Sequence, residues 1–278
     1  MSLAGVAKET VAIVERGSYT CPSGQVVSIR AEVEAALAGT VLHRPEDLAG
    51  LARPGPGPSL ARVEVWADST AGAARRLVER EGTAAVAILA FASAKNPGGG
   101  FLGGAKAQEE DLARCSALYH CQRSQRDYYD ANRAEPSMLY TDHIIHAPGV
   151  PFFRDERLDL LARPFCVGVV TAPAPNAGEH LRRDAHGHAA LAAALDRRAE
   201  RVLRVFAHHG QRTLVLGAWG CGVFRNEPAA VAATFARWLA GDYAGVFDRV
   251  VFAILDRSRE KDTLRAFERA FERPAAAG

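Results

Sequence analysis

A glycine-rich stretch that runs into two carboxylates is the part of this chain best suited to chemistry. Five glycines occupy the seven positions 98–104, and Gln108, Glu109 and Glu110 follow them. Glycine has no side chain and adopts positive φ readily, so the backbone N–H groups of such a loop can approach a ligand closely. A buried strand is predicted before the loop, at 84–91, and a helix is predicted to start near Gln108. The stretch therefore predicts a loop that delivers carboxylates to a sugar or a phosphate ester.

Three other interpretations of this loop compete. Gly98, Gly100 and Gly103 match the G-x-G-x-x-G dinucleotide fingerprint. That motif expects a second strand ending in an acidic residue about 20 residues on, where this chain is still predicted to be helical. A P-loop is disfavoured because Lys106 is out of register and no Ser or Thr follows it. The stretch could also be a surface loop, with the carboxylates complementing the positive end of a helix dipole.

Glu109 and Glu110 are neighbours on the predicted helix, which limits what they can do together. Successive helical residues point about 100° apart, because an α-helix has 3.6 residues per turn. The two carboxylates therefore cannot flank a glycosidic bond from opposite faces, as the pair in a two-carboxylate glycosidase does. We expect one to transfer a proton and the other to bind substrate.

A second glycine loop, 217–228, also lies between a predicted strand and a predicted helix. Gly220 and Gly222 would let backbone N–H groups turn towards a diphosphate, aided by the positive potential at the start of the helix. Asn226 is expected to cap that helix and Pro228 to occupy its first turn. Alone, the segment is equally compatible with a tight turn. Two such loops at the carboxyl ends of strands favour a ligand with a diphosphate between two riboses.

Composition places the chain among ordinary globular proteins. Of its 278 residues, 48% are hydrophobic and 24% charged, and 34 basic against 32 acidic residues give a net charge of +2. The chain has no long basic run that would indicate binding to duplex nucleic acid. It also has no apolar run of ~18 residues that would predict a membrane span. Five cysteines without C-x-x-C or zinc-like spacing, and an N-terminus without signal-peptide features, predict a cytoplasmic protein with reduced thiols. A monomer is the default expectation.

The nine histidines do not predict a metal site. The segments 186–188 and 208–209 are rich in histidine but lack the spacing to Cys, Asp or Glu that zinc sites show. We expect these histidines at helix surfaces or ends. The aromatic pairs 128–129 and 152–153 are expected to pack in the core rather than to stack on a ligand.

Alternating strands and helices must bring the two glycine loops together. The predicted strands are 26–29, 62–66, 84–91, 140–147, 165–171, 213–216 and 246–255. The predicted helices are 5–16, 31–38, 71–82, 108–124, 183–209, 226–240 and 259–272. Strands rich in Val, Ile and Ala fit a sheet covered on both faces, and the alternation predicts an α/β/α layered domain. The Pro-Gly alternation at 53–58 predicts a rigid loop, where we place the boundary between an N-terminal extension, 1–58, and a core, 59–278.

These motifs resemble the poly(ADP-ribose) glycohydrolases, in particular the compact bacterial-type branch. The signature is Gly-Gly-Gly at 98–100, seven residues, and then Gln-Glu-Glu at 108–110. Segments that agree with the family run over nearly the whole chain, at 17–19, 139–141, 150–154, 171–176 and 217–228. The resemblance implies a macrodomain: one three-layer α/β/α domain with a mixed central sheet and an N-terminal extension packed on the core.

The resemblance also implies roles for individual residues. Glu110 would be the general acid/base, and Glu109 would fix ribose hydroxyls. Asn96 and the backbone of 98–100 would hold the distal ribose, against which Phe224 packs, and the second loop would bind the diphosphate. The expected substrate-binding residues are Asn96, Gly98, Gly99, Gly100, Gln108, Gly220, Cys221, Gly222, Val223, Phe224 and Asn226.

The activity implied is hydrolysis of the ribose–ribose bonds of poly(ADP-ribose) to release ADP-ribose, with no metal or redox cofactor. ADP-ribosylated proteins are implied as partners. Two alternatives stay open. The first is a non-catalytic ADP-ribose reader, which would share both glycine loops but has no need of Gln-Glu-Glu. The second is a hydrolase whose substrate is mono-ADP-ribose or O-acetyl-ADP-ribose rather than the polymer.

Overall fold

A computed structural model describes residues 2–55, 57, 60–83 and 85–272 of the chain. The strands are β1 (Ser18–Thr20), β2 (Val26–Ser28), β3 (Val41–His43), β4 (Arg62–Trp66), β5 (Val86–Phe91), β6 (Ile144–Arg154), β7 (Leu160–Ala172), β8 (Thr213–Gly217) and β9 (Arg249–Ala253). The helices are α1 (Leu3–Arg16), α2 (Arg30–Gly39), α3 (Pro45–Gly50), α4 (Thr70–Arg75), α5 (Gln108–Cys115), α6 (Leu118–Ser124), α7 (Arg126–Ala134), α8 (Ala177–Arg183), α9 (His188–His208), α10 (Pro228–Ala240) and α11 (Asp262–Phe271). A π-helical segment, Arg76–Arg80, continues α4.

A mixed sheet forms the centre of the fold. Seven strands of the described chain pair in the order β3-β6-β7-β5-β8-β9-β4, and β1 and β2 form a separate antiparallel hairpin. The strands from β7 through β5, β8 and β9 to β4 run parallel, whereas β3, β6 and β7 pair antiparallel. The carboxyl ends of β7, β5 and β8 therefore lie side by side at one edge.

Both faces of this sheet are covered by helices, because the central strands are apolar on both sides. Side chains of successive strand residues point to opposite faces. In β5, Ile88 packs in a cluster with Leu112 of α5, while its neighbour Leu89 packs with Leu203 of α9 on the other face. This confirms the predicted α/β/α layers and mixed sheet. None of the described helices is both long and apolar enough to cross a membrane.

The N-terminal residues belong to the same packed body. Ser2 caps the start of helix α1 by accepting a hydrogen bond from Gly5 N, and Gly17, with φ of +73°, caps its end. Val14 of α1 and Val33 of α2 are buried in the cluster that covers one face of the sheet. Strand β3 pairs with β6 at the edge of the sheet. The extension thus supplies both a helix layer and a strand, and the boundary at residue 58 stays a prediction; parts of the predicted loop 53–58 lie outside the described residues.

The predicted helix 108–124 is wrong in one respect, since it is two helices. Ser116 adopts extended backbone with φ of −147° and forms an isolated bridge with Phe152 of β6. The amide of Ala117 donates to the carbonyl of Pro151, at 3.1 Å. Pairing with β6 therefore interrupts the helix that the local sequence favours, and α6 starts in a new direction.

Other expectations differ at the ends of elements. The strand expected at 140–147 begins only at Ile144, and the helix expected at 183–209 begins at His188, after a turn in which Gly187 N donates to Asp184 O. Pro228 stands at the first position of α10, as predicted, but the residue that caps this helix is Glu227 rather than Asn226. Five short elements were not predicted from the sequence: β1, β3, α3, α7 and α8.

A buried arginine explains why 139–142 is a loop. Arg198 of α9 is fully buried, and its guanidinium donates to the carbonyls of Leu139, Tyr140 and Pro173 and to Asp142 Oδ1, at 2.7–3.1 Å. Burial opposes ionisation of Asp142, but Arg198 and its neighbours bring the pKa of this carboxyl below its usual value. Two further arginines of α9 contact the carboxylate: Arg197 and Arg201.

Replacing Asp142 tests whether this cluster holds the loops in place. Asp142→Asn leaves the Arg198 charge buried without its counter-ion, and we expect the free energy of unfolding to fall by about 3–5 kcal/mol. Urea denaturation would measure it. The matched control is Asp248→Asn, which breaks an exposed pair with Arg212 and should cost about 0–1 kcal/mol. Equal effects of the two substitutions would contradict the assignment.

Candidate active site

Three loops meet at the carboxyl edge of the sheet. They follow β5, β7 and β8, which are adjacent and parallel. Direct hydrogen bonds tie them together: the Ala92 amide and the Trp219 indole both donate to the carbonyl of Ala172, at 3.2 and 3.1 Å. Ligands of open α/β sheets bind at this edge. The structure thus places the first glycine loop, 92–107, beside the second, 218–227.

Glu109 lies in the first turn of α5 and is almost completely buried. Its Oε2 accepts a hydrogen bond from Ser93 N at 2.7 Å, and its Oε1 accepts one from Gln122 Nε2 at 2.8 Å. Burial raises the pKa of Glu109 to about 8, although the Ser93 and Gln122 donors oppose this and Glu110 adds to it. Glu109 is therefore a rigidly held carboxyl that binds a proton near neutral pH.

Glu110 is held differently from its neighbour. It is 9% exposed, and its Oε1 accepts a hydrogen bond from Gly100 N at 2.9 Å. Its Oε2 makes no hydrogen bond within the part of the chain that the structure describes. A Cβ at Gly99, where φ is +57°, would lie 2.4 Å from Glu110 Oε1. Glycine is thus required here because the backbone passes directly against the carboxylates.

The amides of the first glycine loop are engaged within the protein. We expected the N–H groups of Gly98, Gly99 and Gly100 to be available to a ligand, whereas each has a protein acceptor in the structure. They donate respectively to Gln122 Oε1, to Asn96 O and to Glu110 Oε1, at 2.9, 3.0 and 2.9 Å. The loop shapes itself around the carboxylates instead. Asn96 is exposed just before these glycines, and its predicted contact with the distal ribose stays a prediction.

Gln108 is also used inside the protein rather than by a ligand. Its Oε1 accepts a hydrogen bond from Phe91 N, and its Nε2 donates to Leu89 O and to Thr70 Oγ1, at 2.8–3.1 Å. Both amide protons are engaged, so the expectation that Gln108 binds substrate is not supported. The side chain instead pins the start of α5 to the end of β5, which fixes the position of the two glutamates.

The second glycine loop does offer free donors. Among the described residues, the amides of Gly220, Gly222, Val223 and Phe224 donate to no protein acceptor, whereas Cys221 N is engaged with Ala218 O. Val223 is 82% exposed, so this segment is open to a ligand. Several adjacent N–H groups in a loop form a cavity suited to an anion.

The closed conformation of this loop depends on Gly220 and Asn226. Gly220 has φ of +74°, and a Cβ there would lie 2.4 Å from Ala174 Cβ. Asn226 is buried, and its Nδ2 donates to Pro175 O and to Gly220 O at 2.8 and 3.1 Å. Asn226 therefore holds the loop in shape, and the N-cap of α10 is Glu227. Burial raises the pKa of the Cys221 thiol to about 12, so this thiol is not a nucleophile.

Phe224 borders the same edge of the sheet and packs against Tyr140, with ring centroids 5.8 Å apart. Tyr140 has positive φ and is anchored through its carbonyl to Arg198. Tyr140, Gln122 and Ser93 were not among the site residues predicted from the sequence. Only a fully buried glutamine in a helix would have hinted at Gln122, and burial cannot be read from one sequence.

The histidines contact one another. Nε2 of His43 lies 2.9 Å from Nε2 of His209, the residue that follows α9, and His209 stacks on His146 with centroids 3.6 Å apart. Burial lowers the pKa of His146 to about 3 and that of His209 to about 4. Within the described residues, no group of three or more His, Cys, Asp or Glu side chains has the arrangement of a metal site.

The burial of Glu109 has a measurable consequence for stability. Its carboxyl has a pKa of about 8 in the folded protein, against an ordinary value of 4.5. Between these values the folded state binds a proton that the unfolded state releases, so the free energy of unfolding falls as pH rises through this window. Glu109→Gln should flatten this dependence by up to ~1.4 kcal/mol per pH unit. Urea titrations from pH 5 to pH 8 would measure it, and parallel curves for the two proteins would disprove it.

Comparison with known proteins agrees with this geometry. Residues 7–155 match the family described as microbial-type PARG, catalytic domain, where PARG is poly(ADP-ribose) glycohydrolase. A crystal structure of the poly(ADP-ribose) glycohydrolase of Thermomonospora curvata, bound to the inhibitor ADP-HPD, is 47% identical. It matches over 97% of this chain and 99% of that chain, with a TM-score of 0.90.

A second relative gives the same result. The poly(ADP-ribose) glycohydrolase of Deinococcus radiodurans in complex with ADP-ribose is 48% identical and has a TM-score of 0.82. The match covers 88% of this chain and 99% of that one. No curated protein matches. The extent of these matches confirms the resemblance inferred from the glycine and glutamate signature, and the chain belongs to the family of microbial-type poly(ADP-ribose) glycohydrolases.

Proposed function

We propose that this chain hydrolyses the ribose–ribose O-glycosidic bond of poly(ADP-ribose) with Glu110 as the general acid/base. Membership of the family makes the chain a glycosidase, as predicted, and favours catalysis over the non-catalytic reader. The observation that carries the role of Glu110 is the contrast between the two carboxyls. Both oxygens of Glu109 are occupied by protein donors, whereas Glu110 is held through Oε1 alone.

The proposed reaction uses the free oxygen of Glu110. Protonated at Oε2, Glu110 donates its proton to the 2′-oxygen of the leaving adenosine ribose as the bond to the distal ribose breaks. The distal ribose becomes an oxocarbenium-like cation, stabilised by the neighbouring phosphate oxygens. A water molecule then attacks C1 of that ribose, and the Glu110 carboxylate takes its proton. The residue thereby returns to its starting state without needing a metal or a redox cofactor.

Glu109 would orient the distal ribose during this reaction. Its position is fixed by Ser93 N and Gln122 Nε2. This suits a group that accepts hydrogen bonds from ribose hydroxyls or donates them to these hydroxyls. Because burial raises the pKa of Glu109 to about 8, this carboxyl is largely uncharged next to the substrate's diphosphate. This lowers the electrostatic cost of bringing an anion to two neighbouring carboxyls.

The second loop would bind the diphosphate. The amides of Gly220, Gly222, Val223 and Phe224 supply donors, and the start of α10 adds positive potential. The ring of Phe224, supported by Tyr140, would pack on the distal ribose and hold it towards Glu110. Positioning of this kind contributes to the rate because it converts binding energy into a reactive geometry.

The cellular location, the partners and the oligomeric state of this protein are also proposals. All five cysteines are free thiols, which supports the predicted location in the reducing cytoplasm. ADP-ribosylated proteins would carry the polymer that the enzyme shortens. A monomer stays the expected oligomeric state.

Glu110→Gln tests the catalytic assignment. The amide oxygen can still accept from Gly100 N, but the side chain cannot donate a carboxyl proton, so turnover of poly(ADP-ribose) should fall by ~100-fold or more. Binding of ADP-ribose, measured by calorimetry, should persist. The control is Glu34→Gln, an exposed position on α2; it should keep its activity. Unchanged hydrolysis by Glu110→Gln would exclude the proposed role.

Gly222→Val tests the diphosphate site separately from the chemistry. A Cβ at Gly222 meets nothing within 4 Å, and its φ is not in the positive range, so the unbound fold should be unaffected. The added side chain would stand at the mouth of the loop and crowd the diphosphate. We expect ADP-ribose binding to weaken by about 2–4 kcal/mol, the contribution of one or two charge-assisted hydrogen bonds. Val223→Ala, which keeps every amide, is the control; wild-type affinity in Gly222→Val would place the diphosphate elsewhere.

A further inference from the structure

A basic cavity lies beside the first glycine loop, outside the site described above. It has a volume of about 520 Å³, and Pro97 of the loop forms one side of it. The rest of its lining comes from the end of α6 and from α7: Arg123, Arg126, Tyr129, Asp130 and Arg133. Three arginines against one aspartate make this a positively charged opening.

Two of these arginines have no counter-ion in the described part of the chain. Arg133 pairs with Asp130 at 2.9 Å, but Arg123 and Arg126 are exposed and make no side-chain hydrogen bond or ion pair there. Arg126 is also the first residue of α7, where the helix dipole is unfavourable to a cation. An anion bound between these guanidinium groups would supply the missing counter-ion and would offset the unfavourable helix dipole at Arg126.

Tyr129 supplies a second and independent feature. It is 2% exposed, lines the cavity, and its hydroxyl is buried without a hydrogen-bond partner among the described residues. Leaving a buried hydroxyl unpaired is unfavourable. Burial raises the pKa of Tyr129 well above its usual value, so the group stays a neutral donor. A ligand oxygen that reaches this hydroxyl would give it an acceptor that the described residues do not supply.

The cavity lies next to the site, on the other side of the first glycine loop. Gly98, next to Pro97, donates its amide to Gln122, and Gln122 is adjacent in sequence to Arg123. The same Gln122 side chain holds Glu109. The cavity therefore adjoins the segment of the loop that we expect to hold the distal ribose, whose glycosidic bond is cleaved.

We propose that this cavity binds a diphosphate of the polymer on the leaving side of the scissile bond. The inference rests on the proposed function, since it takes poly(ADP-ribose) as the substrate. In that polymer the leaving 2′-oxygen belongs to an adenosine ribose, and the diphosphate of the leaving unit is attached to the same ribose. A basic cavity next to the distal ribose is where this diphosphate would arrive, and planar guanidinium groups suit its oxygens.

The test compares substrates that differ only on the leaving side. One is poly(ADP-ribose); the other is an ADP-ribose glycoside whose leaving group carries no phosphate. The double variant Arg123→Gln/Arg126→Gln should raise KM for the polymer roughly tenfold or more and leave KM for the glycoside unchanged. The control, Arg157→Gln/Arg163→Gln, removes the same charge from exposed positions near the opposite end of β7 and should change neither. Equal losses on both substrates, or no loss on the polymer, would overturn the proposal.

A binding measurement separates this proposal from the catalytic one. In the Glu110→Gln background, the arginine substitutions should weaken binding of poly(ADP-ribose) but not of ADP-ribose, whether or not the wild-type protein proves to be a hydrolase. Tyr129→Phe should weaken polymer binding about threefold, the loss of one neutral hydrogen bond. Single-stranded DNA with the same number of phosphates should compete poorly. If it competes as well as the polymer, the cavity is a general polyanion surface and the proposal is wrong.

Discussion

The burial of two neighbouring carboxyl groups, those of Glu109 and Glu110, is the constraint on which the arrangement of the loops after β5, β7 and β8 depends. Removing Glu109 from solvent is unfavourable, and hydrogen bonds from Ser93 and Gln122 offset part of the cost. These contacts need the loop after β5, helix α5 and helix α6 in fixed relative positions. Gln108 joins α5 to β5, and Gln122 joins α6 to the loop. Glycine at position 99 follows from this arrangement, because only bare backbone fits against the carboxyls there.

The layers of the fold could be predicted because the central strands carry their own signal. Strands such as β5 and β8 are continuous apolar runs between turn residues, and their alternation with amphipathic helices defines an α/β/α domain. The errors lie where tertiary contacts override local preference. Pairing of Ser116 with β6 splits one predicted helix, and the buried guanidinium of Arg198 takes the carbonyls that would have extended β6. Strands of three residues, such as β3, are too short to show a period.

The motifs of the site could be predicted from the sequence, but the role of each polar residue in it could be predicted less well. The sequence identifies both glycine loops and the glutamate pair, because glycine spacing and adjacent carboxylates have few other uses. It does not reveal which polar groups are already satisfied within the protein. Gln108 and Asn226 have the chemistry of ligand-binding residues, yet their amides are engaged by backbone. In contrast, Gln122 and Tyr140 come from other parts of the chain, and only the folded structure brings them to the site.

The order of strands in the sheet has a consequence for the synthesis of this protein. Both outer strands of the seven-stranded sheet, β3 and β4, come from the first quarter of the chain. Their partners are made much later, since Val41 pairs with His146 and Arg62 with Arg249. During synthesis, β3 and β4 therefore leave the ribosome long before β6 and β9, the strands with which they pair. Such distant pairings slow folding and leave strand edges open to aggregation, so the nascent chain should depend on chaperones until β9 has emerged.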